Sequence, residues 1–598
     1  IGLLKMDFLG LKTLTVIDKT VKLVKAIKNI DINIETLKLD DKNTYDLLGQ
    51  ANSFGIFQLE SSGMRDLLKR IKPTQLEDLI SILALYRPGP IGSGMLEDYI
   101  RRKREGQQIR YEHPKLEPIL KETYGIIIFQ EQVMMIASIL AGFTMAQADG
   151  LRSAMSKKKP EVMDKMRVAF VSGCLKASSI KESLANRIFD LIDYFAGYGF
   201  NRSHSAAYAL ISYRTAYLKA NFPTEFMCAL LTSEKDNTDK IVEYVKESQA
   251  MGIQILPPDI NASKLEFSFD GDKIIRFGLI AVKNIGAAAI DSILEKRADG
   301  PFLNIFDFCK RVDLRTVNHK AMESLIRCGA MDSFGCRRSQ LMDILGKALE
   351  TGVRLQKERS AGQFSFFDMQ DSKGFEKEAE NYANIEEWPK MKVLSDEKEL
   401  LGFYITGHPL THYRVEIKEF TDYSTKELYQ ASENQEVKLI GLINHIKLTT
   451  TRRTGERMAI LKFEDMEGEI EVIVFPSTYP EVAPYLKDGA VVALRGRVSL
   501  REEQPKIIAT EIRSLKETYQ LIKNISVDLS GVDEKGLETL KERLLHFPGK
   551  VPVFLHLNTN AHKSVQILVG DNLYVEPSEI LIDNLKDLLG EDKISLKI

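Results

Sequence analysis

The chain has 598 residues, a formal net charge of −2, 44% apolar residues and 28% charged residues. This composition suits a soluble protein of roughly four domains and excludes a uniformly basic nucleic-acid coat. No run of about 18 apolar residues and no basic-then-apolar leader occurs, so neither a membrane span nor a secretory signal is expected. The five cysteines (Cys174, Cys228, Cys309, Cys328 and Cys336) have no C-x-x-C spacing. That disfavours structural zinc and suits a reducing cytoplasm. Base is concentrated between Arg65 and Arg110 and again between Arg152 and Arg167, with an acidic stretch from Glu376 to Glu387. Such basic runs are more often solvated faces than binding sites.

Residues 1–9 read as a strand that turns at Gly10 into an amphipathic helix with the stripe Leu14, Ile17, Val21 and Val24. Strand alternation puts Lys5 and Asp7 on one face. They are either a surface ion pair, which spacing alone favours, or a carboxylate for a divalent metal beside an ammonium for a phosphate. No helix cap or leader precedes Ile1, so the chain is expected to start inside a domain, as a fragment. Residues 40–250 are mostly helical, broken by a turn at RPGPIGSGM, Arg87 to Met95. A short apolar strand or buried segment follows from Tyr124, in YGIIIFQEQVMMIA. Arg152 and the lysines from Lys157 then precede a helix start marked by Pro160.

The stretch AGYGFNRSHSAAYALISYRTAYLKANFP, Ala196 to Pro223, joins a glycine-aromatic turn to a long helix. Asn201, Arg202, Ser203 and His204 sit at the junction. Ser203 is expected to cap the helix, whose free amides and dipole favour an anion. Arg202 adds a forked cation, and Tyr208 falls one turn beyond His204 on the same face. A plain capped helix with a solvated turn would explain the same residues.

Phe277 to Leu294 resembles a helix-hairpin-helix element, whose turn Lys283, Asn284, Ile285 and Gly286 could offer backbone amides to a DNA phosphate. Leu325 to Phe334 has a similar helix-then-glycine shape. Residues 352–393 read as a polar connector holding Gln363, Phe364, Ser365, Phe366 and Phe367, which resembles a sliding-clamp-binding peptide. Phe366 stands where Leu or Met is common. From Glu436 to Lys516, five strands with glycine-bearing turns suggest an OB-like barrel. On one of its hairpins Lys447, Arg452, Arg453 and Arg457 could touch phosphates. The last 80 or so residues read as a small α+β domain without a chemical signature.

The segments LLKMDFLGLKTLT, YRPGPIGSGM, GIIIFQEQVM, GYGFNRSHSAAYA and ELLGFYITGHPL, in this order, resemble the DnaE-type alpha subunit of bacterial DNA polymerase III, a C-family replicative polymerase. The resemblance covers essentially the whole chain. It implies a multidomain, α-rich protein with α+β parts. The expected order is end of palm (1–35), fingers (36–250), helix-hairpin-helix duplex-binding region (251–350), connector with clamp peptide (351–393), linker (394–435), OB-fold (436–516) and C-terminal domain (517–598). It further implies template-directed transfer of a nucleotide from a dNTP to a primer 3′ hydroxyl at a two-Mg²⁺ centre. Asp7 matches one of three palm carboxylates and so is the implied catalytic residue and metal ligand. Lys5, Arg152, Lys157, Asn201, Arg202, Ser203 and His204 are the implied nucleotide contacts. Implied partners are primer–template DNA, single-stranded template, the beta sliding clamp and, as an open candidate for the last domain, the clamp-loader tau subunit.

No acidic pair matching the other two palm carboxylates is present, nor is the family's N-terminal PHP domain, so these 598 residues alone are expected not to polymerise. A non-catalytic DNA- and clamp-binding module is the alternative. A DNA ligase is disfavoured: the nearest stretch to its K-x-D-G nucleophile, Arg297 to Gly300, lacks the lysine. An ATP-driven motor is disfavoured because no G-x-x-x-x-G-K-[ST] loop occurs.

Overall fold

The computed structural model describes residues 5–6, 10–104, 109–156, 160–195, 198–235, 237–360, 382–451, 454–501, 504–558 and 564–597. The chain divides into two compact units: residues 1–387 with 400–403, and residues 388–399 with 404–598.

The first unit is largely helical. The helix Lys12–Lys28 forms as expected, but its buried face is Val16, Ile17, Thr20 and Val24, and Leu14 of the predicted stripe is half-exposed. This helix lies against Pro223–Ser233. The ion pair Lys28–Glu225 (3.1 Å) joins the two, and the Glu225 side chain is fully buried. The sequence RPGPIGSGM is not a plain turn. Pro88 occupies the first position of a short helix, Pro88–Gly92, where its fixed φ and missing N–H fit. Gly89 is required there, because a Cβ would meet the Tyr198 ring at 2.6 Å.

The helix Arg202–Asn221 runs beside Leu76–Leu85 and Lys42–Gly49 in the main core. Its buried face is unusually polar: Ser205, Ser212, Thr215 and Lys219 are each at most 1% exposed. Ser212, Thr215 and Lys219, with the neighbouring Tyr213, satisfy backbone groups on either side of the helix Lys42–Gly49. Tyr213 Oη donates to Lys38 O (2.9 Å) and accepts from Asp41 N (3.0 Å). Ser212 donates to Phe57 O (2.8 Å), and Phe57 N donates to Thr215 Oγ1 (3.3 Å). Lys219 Nζ donates to Asn52 O (2.9 Å), Phe54 O (2.8 Å) and Glu247 Oε1 (2.6 Å). Burial pulls the Lys219 ammonium below its usual range, against the opposing pull of Glu247.

A three-stranded sheet follows, in which Ile274–Arg276 lies between Gln254–Leu256 (parallel) and Ser268–Gly271 (antiparallel). The helices Ala287–Arg297, Ile305–Arg311, His319–Arg327 and Arg338–Ser360 complete the described part of this unit.

The second unit contains the expected barrel. Five strands close it in the order Glu436–Thr450, Arg457–Glu464, Glu469–Val474, Lys506–Ser514 and Val491–Ser499. The long first strand makes closure possible. Glu436 to Leu442 pair with Val491–Ser499, and Leu442 to Thr450 pair with Arg457–Glu464. Strand alternation fills the interior with Val437, Leu439, Ala459, Leu461, Val472, Leu494 and Ile507.

The terminal α+β domain is also as expected. Its sheet order is Ser564–Leu568, Val553–Asn558, Asn524–Asp528 and Ile594–Lys597, with the helices Glu534–Leu545 and Glu579–Leu589 packed on it. The ELLGFYITGHPL motif has a local structural role. The buried Glu397 carboxylate accepts from Ile405 N, Thr406 N (both 3.0 Å) and Thr406 Oγ1 (2.9 Å), folding the loop back on its own helix.

Replacing Lys219 by Met leaves the Asn52 and Phe54 carbonyls and the Glu247 carboxylate without their donor, at a cost of about 3 kcal/mol. Hydrogen exchange should accelerate in residues 38–60 and in the helix Arg202–Asn221, while the barrel strands stay protected. Unchanged protection in residues 38–60 would refute the role given to Lys219.

Candidate functional site

The start of the helix Arg202–Asn221 is built by the segment Tyr124 to Gln132. Ile126, Ile127, Ile128 and Phe129 are all buried. Phe129 forms an isolated parallel bridge with Phe200, so the apolar run is a buried extended segment rather than part of a sheet. Phe200 N donates to Ile128 O (3.3 Å), and Gln130 N donates to Phe200 O (2.9 Å). The helix Gln130–Ala141 begins there, and its first three side chains do separate work. Gln130 Nε2 donates to Gly199 O (3.4 Å). Both Glu131 carboxylate oxygens lie 3.0 Å from Arg202 N and accept its hydrogen. Gln132 accepts from Ile128 N (2.8 Å) and Phe129 N (3.0 Å) and donates to Ile119 O (3.2 Å) and Thr123 Oγ1 (2.9 Å).

This bracing moves the helix cap from its expected place. Asn201, with extended backbone, is the N-cap, and its side chain accepts from His204 N at 2.8 Å. Ser203 lies inside the first turn and is exposed. The Phe129–Phe200 bridge fixes where the chain turns, and that makes Asn201 the last non-helical residue. The expected anion at the helix start is present as the protein's own Glu131.

Around this start lies a row of rings and cations. The His204 and Tyr208 rings are 4.3 Å apart, as their one-turn spacing implied. Phe200 lies 5.5 Å from His204, and Phe57 lies 5.2 Å from Tyr208. Arg87 stacks 4.2 Å over Phe200 and donates to Tyr198 O (2.9 Å) and Ala84 O (2.8 Å). Burial pulls the Arg87 pKa down from its usual value. Arg202 Nη2 reaches Glu122 Oε2 at 2.8 Å. The site therefore presents an exposed imidazole, a half-exposed guanidinium and stacked rings at a braced helix start. These groups suit a phosphate-bearing aromatic ligand.

Asn201, Arg202, Ser203 and His204 are thus brought together. Arg152 lies on another helix, Met145–Ser156, where its Nε donates to Asp149 at 2.7 Å. Lys5 is exposed, while Asp7 and Lys157 lie outside the described residues. So do Gln363, Phe364, Ser365, Phe366 and Phe367, together with Arg452 and Arg453. One described histidine–carboxylate group, His412, Glu579 and Asp583, has ligand atoms within 4.8 Å of one another, but it lies in the second unit.

At the hairpin, the expected set of free amides is reduced. Lys283 N donates to Leu400 O (3.0 Å), and Ile285 is buried. Asn284 takes the left-handed conformation, φ 68°, and its side chain donates to Ser324 Oγ (3.2 Å). The exposed Gly286 caps the helix Ala287–Arg297, leaving that helix start and the Lys283 side chain facing solvent. The element before the hairpin is only a 3₁₀ turn, Leu279–Ala281. Lys447 is exposed on the barrel's first strand.

Glu122, Glu131 and Arg87 were not singled out from the sequence. A signal existed: three polar residues, Gln130 to Gln132, directly follow a fully apolar run at a helix start. The cysteines carry no such chemistry. Burial pushes the Cys174 thiol up to about 11 and those of Cys228 and Cys309 up to about 12.

Comparison with known proteins places this geometry in a family context. Residues 13–178 match the family model described as the bacterial DNA polymerase III alpha subunit finger domain. Residues 252–341 match a helix-hairpin-helix motif, and residues 437–515 match an OB-fold nucleic acid binding domain. The whole chain is similar to DNA polymerase III subunit alpha of Escherichia coli strain K12 (38% identical, covering 52% of that protein) and of Bacillus subtilis strain 168 (38%, also 52%). It is similar likewise to that of Pseudomonas aeruginosa, at 39% identity over 53% of the relative. The chain spans about half the length of the curated relatives it matches. The resemblance read from the motifs thus holds along the entire sequence.

Asn201→Ala should cost about 1 kcal/mol of local stability at this helix start, and Ser203→Ala only a few tenths. Hydrogen exchange of the first-turn amides checks the ranking. The reverse order would return the cap to Ser203.

Proposed function

We propose that this chain serves template-directed DNA synthesis in bacterial chromosome replication, supplying the nucleotide-binding and DNA-binding parts of a DNA polymerase III alpha subunit. The observation that carries the reading is the braced helix start at Asn201–His204, within a chain similar throughout to such subunits. In this reading Arg202 and His204 meet the incoming dNTP from the fingers side, Arg202 on a phosphate and His204 at the exposed end of the ring row. Arg152 and Lys157 add positive charge, Asn201 and Ser203 shape the turn, and Lys5 neighbours the phosphates beside Asp7. Asp7 would be one ligand of a two-Mg²⁺ centre, which when bound activates the primer hydroxyl and neutralises the triphosphate. Binding of nucleotide and of DNA is the readout that tests these contacts.

The Lys283–Gly286 hairpin would hold duplex phosphates without reading sequence, and the barrel, with Lys447, Arg452 and Arg453, the single-stranded template. Gln363, Phe364, Ser365, Phe366 and Phe367 would dock on the beta sliding clamp, and the terminal domain is the place to look for a clamp-loader tau contact. Five free cysteines suit the reducing cytoplasm. No described helix is long and apolar enough to cross a membrane. A module that binds DNA and clamp without catalysis is the second reading, its DNA-binding part favoured by the same hairpin and barrel matches.

Titrating the chain with fluorescent primer–template at increasing salt should give a linear fall of log K with log salt. Lys447→Ala should weaken binding to all sequences alike and reduce that slope by about one. Salt-independent binding, or none, would overturn the DNA-binding assignment. For the clamp, a Gln363→Ala, Phe367→Ala double variant should lose affinity for purified clamp, and unchanged affinity would remove that partner.

A further inference from the structure

The Arg202 guanidinium, offered above to a phosphate, already has an anionic partner. Its Nη2 lies 2.8 Å from Glu122 Oε2, and both side chains are well exposed, at 41% and 57%. Glu122 is presented by a rigid support. It sits in the 3₁₀ turn Lys121–Thr123, followed by Tyr124 in the left-handed conformation, φ 52°. Thr123 is buried and donates to Ile126 O (2.6 Å) and Leu120 O (3.2 Å), while Gln132 binds its hydroxyl from the other side. Glu131 holds the backbone N–H of the same Arg202. Two internal carboxylates therefore converge on one residue in different ways. Glu131 grips a backbone group that stays in place, and Glu122 grips a side chain free to swing.

We propose that Glu122 is a placeholder for the nucleotide's phosphates: it parks Arg202 in the empty site, and a triphosphate must take the guanidinium from it. This deepens the nucleotide reading and rests on Arg202 being a phosphate contact. An exposed arginine–carboxylate pair is weak, whereas a triphosphate offers several charge-assisted acceptors to the same planar fork. The exchange is thus downhill for a triphosphate. A ligand with a single weak anionic group gains little, so the pair also discriminates by phosphate charge. Glu122 acts through Arg202 and is a positioning residue.

The test measures binding of dATP, and separately of inorganic tripolyphosphate, to the chain with primer–template bound. Glu122→Gln should tighten both by about twofold to fivefold, the range set by an exposed ion pair. Arg202→Ala should weaken both, and the gain from Glu122→Gln should vanish in the double variant. Because Glu122 is exposed, its variants should fold normally. A gain that persists without Arg202 would be a general charge effect and would overturn the placeholder. So would no gain from Glu122→Gln while Arg202→Ala weakens binding, which leaves the Arg202 assignment standing. If Arg202→Ala changes nothing, the nucleotide contact itself fails, and the placeholder fails with it.

Discussion

One buried ammonium organises the first unit. Lys219 sits near the end of the helix Arg202–Asn221 with its charge enclosed, held by two backbone carbonyls and Glu247. An enclosed ammonium is tolerable only when each of its hydrogens has an acceptor. Here the three acceptors come from the irregular stretch at residues 52–54 and from the helix Thr238–Ala250. Satisfying Lys219 therefore locks three parts of the chain into one arrangement. Ser212, Tyr213 and Thr215 extend that lock toward the middle of the same helix. The far end of the helix, where Arg202 and His204 project, inherits a fixed position.

The other end is fixed differently. At Phe200–Arg202 the braced groups are backbone: Phe200 bridges Phe129, and Arg202 N–H binds the Glu131 carboxylate. The side chains of Arg202 and His204 are left outside the lock, exposed or half-exposed. A rigid helix with a braced start and free side chains is the arrangement a binding site needs, because positioning is settled before the ligand arrives. The Gln130–Gln132 triplet divides the labour between turn, helix start and the support under Glu122.

Periodic and compositional features were legible in the sequence. The five barrel strands, the terminal α+β domain, the helix after Gly10 and the His204–Tyr208 pairing all follow local alternation or one-turn spacing. The helix Arg202–Asn221 was legible as a helix, but its core-facing side was not. Ser212, Thr215 and Lys219 point inward there because they answer backbone about 160 residues away, and no local rule encodes that. The cap was misplaced for a related reason: Ser203 and Asn201 are both good caps, and a distant bridge at Phe129 chooses between them. Pro88 and Pro90 suggested a turn, yet proline at a helix's first positions is favoured, so a short helix formed. Glu122 and Glu131 stayed hidden because each gains its meaning only from Arg202, about 70 to 80 residues on.

The helix Arg202–Asn221 is held at one end by buried polar bonds and at the other by internal carboxylates, and the proposed function sets that second end toward a nucleotide. The most direct measurement is photocrosslinking with a dNTP carrying an aryl azide on its γ-phosphate, on the chain bound to primer–template, with the labelled peptide read by mass spectrometry. The account predicts label on the segment Tyr198–Tyr208, suppressed by unlabelled dNTP. Label confined to residues 436–598, or label that unlabelled dNTP does not suppress, would contradict it.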